Sequence, residues 1–469
     1  MTDTDNLPAE RTETTIKTRL CLMMFLQYFV QGCYLPIITL YLIQALGFSA
    51  WQIGVFGAAL AVGPLLAPFL FGQIVDRHYA TERVLAFCHL SGGVIMLALF
   101  VQQRFWPVVI LGVLYSILYV PTMMLTNSLS FQHLKDSDKE FPLIRLWGTI
   151  GFVVPAWIAE GVFLANLQGE ALNTGRGVVL AMAGVVGLFM AAYCLTLPHT
   201  PPVKSDKKDL APGKVLKMLR YRHFLVLVTV AFIISIVHKF YFQWNSPFLS
   251  AVLKQADVTG AWEQRISSIG QVFEVLVMAV LGFGIKKYGF KTVMLVGLLS
   301  YLVRSLIFAY ASTIGSVVIV KGFTVAIALT CLGQAMHGLC FGCFLAAAYI
   351  YVDKVAPLDV RGSMQTFFGT FVFGLGMFAG GFISGTIGDF FTSTGKETLL
   401  RTKWNIPSQS GIIEFTQKNL VGETSQMLRD WPGIWLSSAA IALFATLMFW
   451  MLFPKTDTSQ RMAHTEEMS

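Results

Sequence analysis

Apolar residues in this chain run in stretches of about twenty, broken by short polar segments. That is the pattern of helices crossing a bilayer, whose hydrocarbon takes about 20 residues per span. Twelve such spans are predicted, at 20–45, 52–75, 84–102, 107–129, 143–165, 178–197, 224–252, 266–285, 292–311, 325–352, 363–390 and 431–453. The ninth and tenth are divided by Gly315 and Lys321, which interrupt a long apolar region. The segment before the first span, MTDTDNLPAERTETTIKTR, is polar and mixed in charge. It lacks the character of a cleavable signal peptide, so the first span is expected to stay in the mature protein.

Lysine and arginine in the connecting segments set the expected orientation. With the N-terminus inside, about 22 basic residues fall on the cytoplasmic side and about 10 outside. Five of the outside ten lie in the long segment 391–430, and Lys239 and Arg304 remain within spans. Both termini are therefore expected in the cytoplasm. The segment 198–222 carries Lys204, Lys207, Lys208, Lys214, Lys217, Arg220 and Arg222, and divides the spans six and six. It reads as a solvated basic linker whose end can lie on anionic lipid.

Composition agrees. The 469 residues are 55% hydrophobic and only 13% charged, against about 25% charged in soluble domains. Too little charge is present to coat soluble domains, so a soluble enzyme is excluded. The net charge of +8 invites nucleic acid as a partner, but the charges sit in short loops between spans, so none is expected. All seven cysteines (Cys21, Cys33, Cys88, Cys194, Cys331, Cys340, Cys343) lie in apolar stretches without paired spacing. They read as small buried hydrophobes and not as disulfides or metal ligands.

An internal repeat supports a duplicated architecture. GQIVDRHYATER (Gly72–Arg83) follows the second span and GFGIKKYGFK (Gly282–Lys291) the eighth. Each has a glycine, three residues, then a charged pair, Asp76-Arg77 or Lys286-Lys287, with Arg83 or Lys291 beyond. The glycine lets two helices approach, and the charges can pair with helix ends. At equivalent places in two halves, this resembles the loop motif of the major facilitator superfamily, with Gly72, Asp76, Arg77 and Arg83 as its conformational residues here. Tyr79 and Ala80 stand where that motif usually has a glycine.

FPLIRLWGTIGF (Phe141–Phe152) resembles a motif of the nucleoside:proton symporters, a branch of that superfamily. LPHTP closing span six, QVFE in span eight and LVRSLIFAY in span nine fall in matching order. The resemblance implies an all-α membrane protein with twelve transmembrane helices in two pseudo-symmetric six-helix bundles, 1–197 and 223–469, around one central cavity. It implies secondary active transport, proton-coupled import of nucleosides or related polar solutes by alternating access, in a bacterial inner membrane.

Charges inside spans are the candidate chemistry, because one near the bilayer centre costs about 2.5–3.5 kcal/mol on insertion scales. Gln271 and Glu274 lie at i and i+3 on one helix face in span eight. Lipid disfavours the charged carboxylate, which suits Glu274 to proton coupling and substrate binding; a carboxylate locked to a cation is the alternative. Lys239 in HKFYFQWNSPF is the expected partner of Glu274, unless it snorkels to the interface. Arg145, Thr149 and Phe152 share one face of span five, and in the nucleoside family this stretch contributes to the substrate cavity. Arg145 can hold a ligand through its planar fork or sit at headgroup level. Gln334, His337 and Phe341 share a face in span ten, where His337 suits a relay or a satisfied core group. Arg304 reads as structural or gating. Gln27, Gln31, Tyr34 and Asn127 line the pathway or join helices. Gly376, Gly380, Gly381 and Gly385 in span eleven predict close helix packing.

The family pattern breaks in places. An acid usual after the aromatic matching Phe341 is Gly342 here, Lys239 and Phe242 replace short amides, and His337 replaces a tyrosine. The cavity charge changes by about two, which makes an anionic or glycosidic metabolite the alternative ligand. A proton-driven exporter is the alternative direction. The expected substrate-binding set is Arg145, Thr149, Phe152, Lys239, Gln271, Glu274, His337 and Phe341, with Glu274 coupling protons. No cofactor and no enzymatic activity are expected, since HExxH, GxSxG and phosphate-binding Gly-Lys loops are absent. The partners are a small solute, protons and lipid, and the chain is read as a monomer.

Overall fold

The computed structural model describes residues 7–66, 79–201, 219–314, 317–320, 323–356, 361–393, 412–418 and 424–454. Ten helices among them are long and apolar enough to cross a membrane, and a shorter apolar helix covers Ala50–Leu66. The motif residues Gly72, Asp76 and Arg77, and most of the basic linker, lie outside the described residues.

The helices are α1 (Leu7–Tyr34), α2 (Ile38–Gln44), α3 (Ala50–Ala59), α4 (Thr81–Val101), α5 (Phe105–His133), α6 (Ser137–Ile158), α7 (Gly169–Gly175) and α8 (Val178–Cys194). They continue with α9 (Arg222–Gln255), α10 (Glu263–Ile314), α11 (Val325–Leu339), α12 (Ala347–Val355), α13 (Arg361–Gly369), α14 (Met377–Phe390) and α15 (Trp431–Leu452). The chain packs as two units, Met1–Ile38 with Val62–Asp206, and Thr39–Ala61 with Lys207–Ser469.

In the first unit α1 packs on α6 and α8, and α4 on α5 and α8. Lipid offers helices no hydrophobic drive to associate, so contact relies on close van der Waals approach. Glycine supplies it: a Cβ at Gly32 would strike the Phe152 backbone, and one at Gly151 the Phe25 backbone. Gln27 is fully buried, bonding Thr122 Oγ1 at 2.7 Å and His89 Nε2 at 2.8 Å. It joins three helices, as one of the two readings of its amide expects. Phe87, Leu90, Val94 and Val101 instead stand exposed along one stripe of α4, as a lipid-facing surface does. Arg83 is exposed in the first turn of α4, while its neighbour Glu82 is buried. Glu82 accepts from His199 Nδ1 at 2.7 Å and Thr200 N at 3.0 Å, so the LPHTP segment is tied down on α4.

In the second unit α10 is two helical arms joined by a kink at Gly289, where φ 77° and ψ 162° suit only glycine. Its two arms are the predicted spans eight and nine. Lys291, just past the turn, donates to the carbonyls of Trp450 (2.9 Å) and Phe453 at the end of α15. Loop-motif charge meets helix end, as the sequence suggests. Between α10 and α11, where Gly315 and Lys321 interrupt the apolar run, Val318–Val320 (β1) pairs antiparallel with Phe323–Thr324 (β2). The segment read as a long loop at 391–430 carries three strands, Thr392–Ser393 (β3), Ile412–Lys418 (β4) and Thr424–Asp430 (β5), in the order β3-β5-β4. The span criterion passes over these strands because they are short and polar.

Helix α3 packs against α14 through glycines from both sides. A Cβ at Gly54 would lie 2.6 Å from the Gly381 carbonyl oxygen and 2.8 Å from Gly385 Cα. Gly338 of α11 is as tightly placed: its Cβ would be 2.5 Å from Phe273 C and 2.6 Å from Glu274 N. This contact sets the distance between the acidic residue of α10 and the α11 face opposite. Gly338→Val is therefore expected to lower stability by about 1–3 kcal/mol through overpacking. Gly282→Ala, with nothing within 4 Å, should stay within about 0.5 kcal/mol. Thermal unfolding of the two variants checks this, and equal midpoints would contradict it.

Candidate functional site

The chemistry of the second unit gathers where α9, both arms of α10 and α11 meet. On α9 the face turned to the cluster carries His238, Tyr241 and Asn245, spaced i, i+3 and i+7. The first arm of α10 brings Ser267, Gly270 and Glu274 at the same spacing, and the second arm brings Tyr301 and Arg304. Gln334 and His337 lie one turn apart on α11. A π-helical turn, Cys340–Ala346, follows and carries Phe341. Insertions of this kind re-aim side chains and recur at functional sites. Gly270 lets α11 close in, its Cβ position lying 3.1 Å from both Gln334 O and His337 Cβ.

Two hydrogen-bonded chains run through the cluster. In the first, the Tyr241 hydroxyl donates to Gln334 Oε1 (2.6 Å), and Gln334 Nε2 donates to Asn245 Oδ1 (2.6 Å). Asn245 Nδ2 donates to Ser267 Oγ (2.8 Å), whose hydroxyl donates to the Glu263 carbonyl (2.8 Å). Donors point one way throughout. All five residues are buried, so each link satisfies a group that is costly to leave bare.

The second chain carries the charges. Arg304 is 1% exposed, with its guanidinium carbon 4.2 Å from the Tyr241 ring centroid and 5.1 Å from that of Tyr301. Aromatic faces receive a cation favourably. Its NH1 lies 3.0 Å from His337 Nδ1. A guanidinium has only donors, so Nδ1 must be the acceptor and the ring is neutral with its proton on Nε2. That nitrogen lies 3.9 Å from Glu274 Oε2, longer than a hydrogen bond but within electrostatic reach. His337 is 2% exposed and the Glu274 side chain 29%, so the carboxylate is the accessible end of the chain. His238 stacks on His337 (centroids 5.6 Å, 19°), bonds the Tyr301 hydroxyl through Nδ1 (2.9 Å), and lies 6.3 Å from the Phe341 ring.

Glu274, His337 and Phe341 of the expected set thus come together in one cluster. Gln271 is half-buried one turn before Glu274, without a hydrogen-bond partner among the described residues. Lys239 does not pair with Glu274, contrary to expectation. One residue along a helix is a rotation of about 100°, so Lys239 leaves the His238 face and turns toward α3 and α14. A Cβ at Gly57 would lie 2.9 Å from its Nζ. In the first unit Arg145, Thr149 and Phe152 are half-buried on α6, and the Arg145 guanidinium sits 4.1 Å from the Tyr28 centroid. Tyr241, His238, Asn245 and Tyr301 are the additional members. The i, i+3, i+7 spacing of the α9 residues was a signal available in the sequence, hidden by the stronger one of Lys239.

A family model described as nucleoside H+ symporter matches residues 14–458. YegT of Escherichia coli strain K12, named as a candidate nucleoside transporter, is 34% identical over 75% of this chain and 79% of its own. The xanthosine permease of the same strain is 25% identical over 96% of this chain and 99% of its own. The crystal structure of the nucleoside transporter NupG has the same fold, with a TM-score of 0.75 and 22% identity over 94% of this chain and 100% of that one.

The first hydrogen-bonded chain makes a measurable contribution. Gln334→Leu strands the Tyr241 hydroxyl and Asn245 Oδ1, at about 1–3 kcal/mol for each group left bare. Tyr241→Phe should cost about 1 kcal/mol, as one donor is lost. Thermal unfolding in detergent should place both midpoints below wild type, Gln334→Leu the lower; unchanged midpoints would refute the network.

Proposed function

The chain belongs to the nucleoside H+ symporter family of major facilitator transporters, and we propose that it couples protons to nucleoside movement through the Glu274–His337 pair. It is a permease and not an enzyme. In this reading the twelve-span count completes the ten long apolar helices and the Ala50–Leu66 helix, and two six-helix bundles carry out alternating access. The protein works as a monomer in the inner membrane with both termini cytoplasmic and no nucleic-acid partner.

The observation that carries the reading is the order of groups Arg304, His337, Glu274. Arg304 fixes the proton of His337 on the nitrogen that faces Glu274, so the carboxylate has an N–H within electrostatic reach on one side. Its side chain is 29% exposed, so a substrate hydroxyl or amide, and a proton, can reach the carboxyl oxygens. Protonation converts part of this acceptor into a donor and removes a charge that lipid disfavours. Proton loading and solute binding therefore act on the same two oxygens. Coupling follows, because each state of the carboxyl suits a different pattern of ligand groups.

Gln271, one turn away, would supply an amide to the same ligand, and Phe341 an aromatic face for a base. Arg145, Thr149 and Phe152 would contribute from the first unit, as the span-five motif implies.

The test is uptake of labelled uridine into proteoliposomes with and without an inward proton gradient. Glu274→Gln keeps the shape and hydrogen bonding but cannot titrate. It should lose gradient-driven accumulation by about tenfold or more while still exchanging labelled for unlabelled solute. Normal gradient-dependent accumulation by that variant would overturn the coupling role.

A further inference from the structure

Lys239 and Gln243 stand one turn apart on the face of α9 turned away from Glu274, and both reach the same spot beside α3. A Cβ at Gly57 would lie 2.8 Å from Lys239 Cε, 2.9 Å from its Nζ and 3.2 Å from Gln243 Oε1. A Cβ at Gly380 of α14 would lie 2.7 Å from Lys239 Cβ. Glycine on both neighbouring helices is what gives the lysine its slot.

The polar groups in that slot do not balance. Gln243 is 1% exposed; its Oε1 accepts from the Ser384 hydroxyl at 2.8 Å, but its Nε2 is buried with no partner. Lys239 is half-buried, and among the described residues it has neither a hydrogen bond nor a carboxylate within ion-pair distance. Glu274 lies beside His337 instead, at 3.9 Å. Neither the ammonium nor the amide N–H₂ thus has a hydrogen-bonded acceptor among the described residues, and the acceptor that does reach the slot, Gln243 Oε1, is already taken by the Ser384 hydroxyl. Donors without acceptors in a lipid-buried position are an unfinished site, and the ligand that completes it carries negative oxygen.

We propose that Lys239 and Gln243 bind a carboxylate borne by the transported solute, so that this carrier favours acidic nucleoside-like or glycoside-like compounds over their neutral counterparts. The ammonium Nζ supplies the charge and Gln243 Nε2 a second donor, oriented because Ser384 holds the other end of the amide. The assignment rests on the transport reading above. Failure of that reading would appear as absent accumulation in vesicles, whereas this one is read from binding to the purified full chain.

The experiment uses two matched pairs, each differing by one carboxylate: uridine with orotidine, and methyl glucoside with methyl glucuronide. Ligand-induced thermal stabilisation is titrated in detergent for wild type, Lys239→Gln and Gln243→Glu, with sodium acetate as a third probe. In wild type the acidic member of at least one pair should act at a concentration about tenfold or more below its neutral twin. Lys239→Gln should erase that preference. Gln243→Glu, which supplies the missing carboxylate from the protein itself and leaves the lysine in place, should erase it too. A neutral preference or no preference in both pairs would overturn the proposal, as would an acidic preference that survives in either variant. Acetate stabilising wild type as well as the acidic solutes do would also overturn it, since the site would then take a free anion.

Discussion

Arg304 is a permanent charge deep in a lipid-spanning unit, and the arrangement around it follows from how that charge is accommodated. Among the described residues no carboxylate reaches it. Two tyrosine faces and the Nδ1 lone pair of His337 receive it instead. Because a guanidinium cannot accept, the bond it makes dictates the tautomer of the histidine. The histidine in turn presents N–H, and not a lone pair, toward Glu274. One unavoidable donor thus fixes the hydrogen-bonding sense of everything downstream of it. In the proposed mechanism this leaves the carboxyl as the member of the chain whose protonation can change cheaply.

Such a chain works only if the helices carrying it approach closely. Lipid tails are as apolar as leucine, so shape and not hydrophobic burial holds the helices together. Glycines at 270 and 338 bring α11 onto α10, and those at 57 and 380 make room for Lys239. Each places a backbone or a functional side chain where any Cβ would sit. The glycine content of the chain is therefore positional, a means of setting distances between polar groups on neighbouring helices.

Much of this was legible beforehand, for reasons that differ by residue. The spans could be read because the bilayer imposes a length on every helix, and the positions of Glu274, His337 and Phe341 because their helical spacing puts each on a definite face. The partner of Glu274 could not be read. Lys239 and His337 both lie in spans, and charge alone favoured the lysine. Only the rotation of α9 relative to its neighbours shows that His238, Tyr241 and Asn245 take the shared face. The strands at 412–418 and 424–430 were equally out of reach, since polar alternation in a long loop resembles any solvated segment. Gln27 went the other way: its amide suited a pathway or a joint between helices, and its bonds to Thr122 and His89 on two neighbouring helices are those of a joint.

Infrared difference spectroscopy addresses the proposed proton site most directly, because a protonated carboxyl in a low-dielectric setting has its own carbonyl stretch. On adding uridine to the purified protein, the account predicts a change in that band in wild type and its absence from Glu274→Gln. The same band change persisting in that variant, or no carboxyl signal in wild type, would contradict it.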